Sequence, residues 1–260
     1  MRAKKNSALS LITIGMIIIG FLGMGLIKSY QTPRDANVTD ASLPNLLQLE
    51  LENEQLAKEN RTLFSQNGVV AVNIMASPGA GKTSIIQTII NCFRTNTNIA
   101  VIEGDIASTI DAEKIEKSGI PVIQINTCGG CHLDANVIRE AYNSIDLKPK
   151  SPKGRKSLLL IENVGNLICP SSFDLGESLK IVIASVPEGH DKPFKYTSMF
   201  EAADAVILNK TDLLPYIDFD MNEFYKGVRA LKPEIPIFEV SCRTCEGFDA
   251  LTKWMAQYLI

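Results

Sequence analysis

Apolar runs of strand length recur along the chain from residue 69 to the C-terminus, separated by polar or helical stretches. The runs are continuous, without the period-two alternation of half-exposed strands, so we expect strands that are covered on both faces. They cover residues 69–75, 99–103, 121–125, 157–161, 180–186, 205–208 and 235–240. With helices between them, these runs predict an α/β fold with a mostly parallel, doubly covered sheet that binds ligands at the carboxyl ends of its strands.

The N-terminal part of the chain has a different pattern. Residues 7–27 carry no charge and are rich in leucine and isoleucine, and Arg2, Lys4 and Lys5 precede them. Because about 20 apolar residues suffice to cross a bilayer, residues 1–27 are predicted to form an apolar transmembrane anchor. A cleaved signal peptide is the main alternative, although its apolar core is usually only about 7–15 residues long and no Ala-x-Ala site follows. A wrongly assigned start codon is a third alternative.

Residues 28–65 separate this segment from the sheet-forming part, residues 66–260. The first portion is predicted to be a polar linker. Its linker residues include Pro33, Asp35, Asn37 and Asp40. Residues 42–64 carry leucines at helical spacing, which predicts an amphipathic helix that packs against the domain, with a dimer contact as the alternative. These leucines are Leu46, Leu49, Leu56 and Leu63.

A glycine-rich loop, residues 76–83 (ASPGAGKT), lies between the first apolar run and the helical segment 84–90. Strand, glycine-rich loop and helix in this order are typical of phosphate-binding loops, in which backbone N–H groups and the helix N-terminus surround the phosphates. We expect Lys82 to reach the β- and γ-phosphates and Thr83 to bind Mg²⁺. The residues expected to bind nucleotide are Gly79, Ala80, Gly81, Lys82, Thr83 and Ser84. Ala76 replaces the usual first glycine, so an ordinary turn is the alternative.

The segment NKTD, residues 209–212, directly follows the apolar run 205–208. In guanine-nucleotide proteins the aspartate of such a segment, here Asp212, accepts hydrogen bonds from the base. The lysine, Lys210, packs along the base, and the asparagine, Asn209, braces the loop. An adenine-nucleotide kinase is disfavoured, since adenine would leave the buried carboxylate unpaired. Ser241 and Cys242, which directly follow the last apolar run, are expected to complete the base pocket.

Acidic residues at two strand ends are candidate catalytic residues. Glu162 begins the segment ENVG, which is similar to the Asp-x-x-Gly element of GTPases, and Gly165 would sense the γ-phosphate there. Asp105 follows another apolar run and is expected in the Mg²⁺ shell. With Lys82 they would support in-line attack of water on GTP to give GDP. We expect slow intrinsic hydrolysis, because no arginine is clearly placed to act as an arginine finger at the γ-phosphate. The alternative for either acid is a solvated loop residue.

Charge and cysteine content narrow the cellular setting. The net charge of −3 gives no electrostatic case for nucleic acid as a partner. Six cysteines are too few for a disulfide scaffold at 260 residues, which favours a reducing compartment. The basic residues before the apolar segment favour a cytoplasmic N-terminus and thus an external domain. Because nucleotide is scarce outside the cell, we expect instead a cytoplasmic domain that is membrane-anchored through residues 7–27.

Cysteine and histidine residues follow two of the predicted strands. The segment CGGCHLD, residues 128–134, comes after one apolar run, and Cys169 comes after the ENVG segment. Thiolate and imidazole ligands suit Ni²⁺ or Zn²⁺, and side chains near strand ends can converge on one ion. Cys128, Cys131, His132 and Cys169 are therefore candidate metal ligands.

Other interpretations of the cysteines remain open. The spacing Cys128-x-x-Cys131-His132 also matches c-type haem attachment. A structural zinc site could instead combine this Cys-x-x-Cys pair with the pair Cys242 and Cys245. Inert thiols are the remaining alternative.

From about residue 56 to the C-terminus the chain resembles the HypB family, the GTPases that help to load nickel into [NiFe]-hydrogenase. The matching segments are residues 57–64 (AKENRTLF), 77–83 (SPGAGKT), 102–105 (IEGD), 130–135 (GCHLDA), 162–170 (ENVGNLICP), 173–177 (FDLGE), 191–193 (DKP) and 209–216 (NKTDLLPY). The motifs CHLDA and NLxCP distinguish the chain from the related urease nickel GTPases. The resemblance covers about four-fifths of the chain.

This resemblance implies a P-loop GTPase of the SIMIBI class that forms a GTP-dependent homodimer. Cys131, His132 and Cys169 would hold Ni²⁺ or Zn²⁺ at the dimer interface, coupled to the nucleotide state. Nickel would pass to the [NiFe]-hydrogenase large-subunit precursor, with a HypA-like nickel metallochaperone as helper.

The chain departs from the family in two respects. It has no cysteine before Cys92 and only two histidines, so high-affinity nickel storage is not expected. The apolar segment 7–27 is foreign to the family, and Cys128, Cys242 and Cys245 are additions that the resemblance does not explain. The alternative function is a non-catalytic, membrane-tethered scaffold with a degenerate nucleotide domain.

Overall fold

The computed structural model describes residues 27–31, 43–105, 115–116, 118–147 and 154–260, and its strands form one sheet. The strands are β1 (Ile27–Gln31), β2 (Val69–Ala76), β3 (Ile99–Asp105), β4 (Val122–Asn126), β5 (Ser157–Glu162), β6 (Leu179–Ser185), β7 (Ala205–Asn209) and β8 (Ile237–Glu239). Their order is β1-β4-β3-β5-β2-β6-β7-β8, and every neighbouring pair is parallel. All carboxyl ends therefore lie at one edge, where the intervening loops meet.

Helices connect these strands. The α-helices whose bounds the structure describes are α1 (Leu43–Gln66), α2 (Lys82–Phe93), α3 (Ala135–Ser144), α4 (Lys192–Lys195), α5 (Thr197–Ala202), α6 (Met221–Leu231) and α7 (Phe248–Ala256). Short 3-10 helices lie at Cys169–Ser172, Val186–Glu188, Thr211–Tyr216 and Gln257–Leu259. Among the connections whose residues are all described, the two longest run from β2 to β3 and from β7 to β8. Each of them contains one of the α-helices.

The sheet is buried on both faces, as its continuous apolar strands predict. On one face Ile74 packs in a cluster with Ile85 of α2 and Leu251 of α7. On the other face Ala71 packs in a cluster with Phe64 of α1 and Ile138 of α3. A third cluster covers β6 and β7 with α5 and α6, and its largest members are Phe200 and Phe224. The prediction of a mostly parallel, doubly covered α/β sheet is confirmed.

Strand bounds differ from the sequence-based ranges by one or two residues. The largest shift is at β8, where residues 235–240 were expected and only Ile237–Glu239 pair with β7. Pro236 has no N–H to donate to a ladder, so regular pairing starts after it.

The edge strand β1 has no counterpart among the predicted strands. Its residues lie opposite Val122–Asn126 of β4, with Ile27 paired to Val122 and Gln31 to Asn126. Sequence interpretation divided this segment between the apolar stretch and the linker, because its five residues are too few to show a pattern. The rest of the predicted membrane anchor, residues 7–26, lies outside the described residues. In the part of the chain that is described, none of the helices has the length and apolarity needed to cross a membrane.

Helix α1 occupies the region where residues 42–64 predicted a helix, and Leu63 packs partly buried against the core, but none of the fully buried side chains described for this helix is a leucine. Ala57, Asn60 and Phe64 are buried, whereas Leu49 is 61% exposed. The buried Asn60 Nδ2 donates to the carbonyl oxygens of Ala135 at 2.8 Å and Leu175 at 3.0 Å. The helix therefore packs on the sheet through its C-terminal half, partly by buried hydrogen bonds that a hydrophobic pattern does not reveal.

Candidate functional site

The phosphate loop lies between β2, which ends at Ala76, and α2, which begins at Lys82. Gly79 and Gly81 have left-handed backbone, with φ of +78° and +101°. Glycine adopts this region without steric cost, unlike other residues. A Cβ atom at Gly81 would also collide with Nδ2 of Asn209. The observed shape of the loop therefore requires glycine at both positions.

A cleft of about 330 Å³ opens beside this loop, a size within the range of ligand pockets. Lys82, Thr83, Asp105, Glu162 and Gly165 line it, together with Ser84 and Gly79. Lys82 Nζ lies 3.4 Å from the carbonyl oxygen of Ser77. The Thr83 hydroxyl donates to Glu162 Oε1 at 2.9 Å. The structure thus brings together the predicted phosphate-binding lysine and both predicted catalytic acids.

The oxygen atoms of this cleft fit Mg²⁺, which prefers hard oxygen ligands and binds through a few carboxylates beside substrate phosphates. Thr83, Asp105 and Glu162 supply them from three different elements. Glu103, which is 1% exposed, lines the same cleft. Sequence reasoning gave Glu103 no role. The signal was present, since residues two apart in a strand point to the same side and Glu103 and Asp105 have that spacing.

The predicted base-binding segment contacts the phosphate loop directly. The buried Asn209 Nδ2 donates to the carbonyl oxygen of Ala80 at 2.9 Å. Lys210 Nζ donates to the carbonyl oxygen of Gly79 at 2.6 Å, from a residue with left-handed φ of +63°. The two loops therefore hold each other in place, with Asn209 in the bracing position that the sequence suggested.

Ser241 holds the aspartate of the same segment. Its hydroxyl donates to Asp212 Oδ1 at 2.7 Å and accepts from the backbone N–H groups of Arg243 and Thr244, each at 3.2 Å. The neighbouring Cys242 is half-buried, and burial raises its pKa to about 11. Its thiol is therefore protonated at neutral pH, and the side chain packs against the hydrophobic cluster that contains Ile85 and Leu251.

Glu188 supports the phosphate loop from the β6 side, a role that sequence reasoning missed. Its carboxylate accepts hydrogen bonds from the hydroxyls of Ser77 and Ser185, the latter at 2.7 Å. Its position just after β6, the strand beside β2, was the available signal, because adjacent parallel strands end side by side.

The predicted metal ligands also converge. The donor atoms of Cys131, His132 and Cys169 all lie within 4.8 Å of one another, and all three residues are half-buried. Cys131 Sγ is 3.5 Å from His132 Nδ1. The His132 ring stacks on Phe173, with ring centroids 3.6 Å apart and planes 17° apart. One loop after β4 and one loop after β5 thus supply a soft donor set of the kind that suits Ni²⁺ or Zn²⁺.

Protonation at this cluster is consistent with metal binding. Burial lowers the pKa of His132, and Asp134 opposes that effect. The pKa of Cys131 is raised mainly by a hydrogen bond with Cys169 and, as the second cause, by burial. The imidazole is therefore kept neutral, with a lone pair for a metal ion, and Cys131 carries a proton that a bound cation would displace.

Asn166 ties the two metal-binding loops together. Its Nδ2 lies 3.4 Å from the carbonyl oxygen of Cys131, and its Oδ1 accepts from the N–H of Ile168 at 2.8 Å. One amide side chain thus contacts the backbone of one ligand and the residue before another. Sequence interpretation included Asn166 in a motif but gave it no role.

The alternative zinc site of two Cys-x-x-Cys pairs is wrong. Within the described residues, the one group of three or more Cys, His, Asp or Glu side chains with converging donor atoms is Cys131, His132 and Cys169. Cys128 is not part of it, and the pair Cys242 and Cys245 lies beside the base-binding segment. The thiols of Cys92 and Cys245 are exposed and free.

The chain matches the protein-family model described as "CobW/HypB/UreG, nucleotide-binding domain" over residues 70–239. It is 42% identical over 229 residues to hydrogenase maturation factor HypB of Azotobacter vinelandii, covering 86% of this chain and 74% of that relative. It is also 42% identical over 214 residues to HypB of Escherichia coli (strain K12), covering 81% and 72%.

Solved structures give the same result. The crystal structure of HypB from Helicobacter pylori in complex with nickel has a TM-score of 0.72 and 34% identity, over 79% of this chain and 94% of that chain. HypB from Archaeoglobus fulgidus has a TM-score of 0.73 and 35% identity, over 81% of this chain and all of that chain (100%).

Proposed function

This chain belongs to the HypB family of hydrogenase maturation factors, and from that premise we propose that it is a GTP-hydrolysing metallochaperone that delivers nickel during [NiFe]-hydrogenase maturation. The observation that carries the proposal is the convergence of Cys131, His132 and Cys169 within 4.8 Å, on loops that follow two strands of the nucleotide-binding sheet. Because these loops lie at the same edge of the sheet as the phosphate loop, the positions of the metal donors can change with the bound nucleotide. The non-catalytic scaffold alternative is not favoured, because the chain is a P-loop GTPase by family.

The nucleotide side of the proposal assigns roles to residues around the cleft. Backbone N–H groups of the phosphate loop and the start of α2 bind the phosphates of GTP, and Lys82 neutralises charge on the β- and γ-phosphates. Asp212, held by Ser241, accepts hydrogen bonds from guanine. Mg²⁺, held by Thr83 and Asp105, would supply further positive charge at the γ-phosphate. Glu162 orients the attacking water, while Gly165 contacts the γ-phosphate.

The metal side treats nickel as cargo. Two thiolates and one neutral imidazole form a soft three-donor set, and the same donors suit Zn²⁺. Three donors are one fewer than a tetrahedral ion needs. We infer that a homodimer places two such sets at its interface, so that a second copy completes the shell. GTP binding assembles this dimer, and hydrolysis to GDP loosens the site.

Partners follow from the place of the family in hydrogenase maturation. We propose the [NiFe]-hydrogenase large-subunit precursor as the recipient of nickel and a HypA-like nickel metallochaperone as the helper. Because GTP is plentiful in the cytosol, we place the GTPase domain there. Anchoring through residues 7–27 stays a prediction from sequence.

The test is nickel binding by the full chain, measured with Mg²⁺ and either GDP or a non-hydrolysable GTP analogue. We expect different nickel affinities in the two states, since linkage requires a difference if nucleotide controls the metal. Cys131→Ala should remove the site, and Cys128→Ala, the matched control outside the cluster, should keep it. Equal affinities in the two states would remove the coupling, and unchanged binding by Cys131→Ala would remove the assigned site.

A further inference from the structure

Leu133 is the point at which the metal-binding loop touches the nucleotide site. It directly follows His132 and is 1% exposed. Its side chain lies over Gly104, the residue before Asp105, because a Cβ atom at Gly104 would be only 2.8 Å from Leu133 Cδ1. Its backbone N–H donates to Asn163 Oδ1 at 3.3 Å. Leu133 therefore contacts the residues next to both Asp105 and Glu162.

Asn163 is the second half of this contact. It is fully buried and lies between Glu162, which accepts a hydrogen bond from Thr83, and the segment that ends at Gly165. Besides Leu133, its Oδ1 accepts from the N–H of Val164 at 2.9 Å. The amide thus joins the backbone of the metal-binding loop to the backbone that leads to the γ-phosphate position.

A buried relay fixes the orientation of the Asn163 amide. Asn163 Nδ2 donates to Asn73 Oδ1 at 3.1 Å, and Asn73 Nδ2 donates to Glu177 Oε1 at 3.0 Å. Asn73 is fully buried and Glu177 is 6% exposed. Because buried polar atoms are costly to leave unpaired, breaking either hydrogen bond to Asn163 Oδ1 is unfavourable, which favours joint displacement of the two segments.

We propose that Leu133 and Asn163 are the positioning residues through which the nucleotide state sets the geometry of the Cys131, His132 and Cys169 site. The inference rests on the proposed function. Contact of Gly165 with a γ-phosphate displaces the segment that carries Asn163, and the hydrogen bond carries Leu133 with it. Leu133 adjoins His132 in the chain, and Asn166 links Cys131 to the Cys169 loop, so all three donors change position together.

The chain offers a matched control at Asn60. Like Asn163, Asn60 is a fully buried asparagine that bonds two backbone groups, one of them the carbonyl oxygen of Ala135 beyond the same metal-binding loop. It contacts α3 and the FDLGE segment rather than the residues beside Asp105 and Glu162. Asn60→Ala should therefore cost stability of the same kind without removing the proposed link.

The experiment measures the nickel dissociation constant of the full chain with Mg-GDP and with Mg plus a non-hydrolysable GTP analogue, and takes the ratio. Allosteric couplings typically lie at about 5–150-fold. We expect Asn163→Ala to bring the ratio below about twofold, and Asn60→Ala to keep the wild-type ratio. Gly104→Ala, which forces Leu133 to shift without touching the amide, should lower the ratio independently. By reciprocity, nickel should lose its effect on the GDP-to-analogue preference in the same variants.

The outcomes separate two failures. A wild-type ratio near one overturns the proposed function and this inference together. A wild-type ratio that both Asn163→Ala and Gly104→Ala retain overturns only the link through Leu133 and Asn163. An equal loss of the ratio in Asn60→Ala also overturns it, because the effect would then follow from general destabilisation. If Asn163→Ala does not fold, Gly104→Ala alone decides between these outcomes.

Discussion

The nucleotide site and the metal site lie at the same edge of the sheet, yet they are held in different ways. In the nucleotide site, side chains of one loop bond the backbone of the other, as Asn209 does at Ala80 and Lys210 does at Gly79. In the metal site, half-buried donors from two loops meet one another, and Asn166 bridges those loops beside the donors themselves. The phosphate loop and the base-binding segment therefore brace each other, whereas the geometry of the metal site depends on the positions of its two loops.

This difference suits a protein in which one site controls the other. In the proposed mechanism the braced phosphate loop holds either nucleotide, and the segment that ends at Gly165 moves when a γ-phosphate is present. A metal site built on loop positions converts that small displacement into a change of donor geometry. Substitutions can test each half of this contrast, beginning with the nucleotide site.

The largest expected effect is on base selection. In Asp212→Asn the carboxylate proposed to accept from guanine becomes an amide that can donate to the C2 carbonyl of xanthine. A mismatch that leaves such hydrogen-bonding groups unpaired changes selectivity by about 10⁴-fold. Competition binding of GTP and XTP measures it, with nickel affinity expected to stay unchanged. Retained preference for GTP would mean that Asp212 does not read the base.

The next effect is on hydrolysis. Lys82→Ala removes the positive charge beside the phosphates, and loss of one such stabilising group lowers the turnover number by about 10²–10³-fold. Steady-state phosphate release measures the loss. Lys226→Ala is the control, because Lys226 is exposed and pairs with Glu223 on α6. Similar rates for the two variants would remove Lys82 from the catalytic site.

A smaller effect tests the loop-dependent site. Asn166→Ala keeps all three donors and removes the bridge between their loops. Partners that orient metal ligands typically contribute about 10–100-fold to affinity, so nickel binding should weaken by that factor. Asn136→Ala, which removes an exposed hydrogen bond to Glu140 on α3, is the control. If Asn166→Ala binds nickel as tightly as wild type, the donors are positioned without the bridge.

The smallest effect concerns the reactivity of Cys242, which is half-buried beside the proposed base-binding segment. Burial raises the pKa of Cys242 to about 11, so little thiolate is present at pH 8. Because a thiol of higher pKa is also the stronger nucleophile, the net reduction in alkylation rate is about tenfold. Peptide mapping after timed alkylation should show Cys242 reacting more slowly than the exposed Cys245. Equal rates would mean that the Cys242 thiol is as accessible and as readily ionised as the Cys245 thiol.

Sequence was informative where the relevant residues are contiguous. The continuous apolar runs predicted the covered parallel sheet, and the order of strand, glycine-rich loop and helix identified the phosphate loop. The cysteines and the histidine after two strands were candidate donors because their residue types are chemically specific, and the resemblance to the HypB family selected Cys131, His132 and Cys169 among them. The first two signals need only local sequence and the rule that parallel strands end at one edge.

Sequence was silent where a contact joins distant residues of common type. Nothing in the sequence distinguishes Asn163, Asn73 and Asn166 from other asparagines. The buried bond between Asn163 and Asn73 depends on the register of β2 against β5, and the bond from Asn166 to Cys131 depends on where the loops after β4 and β5 meet. The edge strand β1 was missed for a related reason. Its five residues have mixed polarity and show no strand pattern, and they can be assigned to a strand only from their pairing with β4. Pairing across the chain carries this information, and a linear pattern does not contain it.

The three-donor set has a consequence for the kinetics of transfer. In the proposed cycle, hydrolysis of GTP loosens the dimer, and an ion left on Cys131, His132 and Cys169 of one copy then has an open coordination position. A thiol or imidazole of an acceptor protein would bind there before any of the three donors leaves. Exchange would then proceed associatively, through an intermediate in which both proteins hold the ion, and nickel would not pass through a free aqueous state.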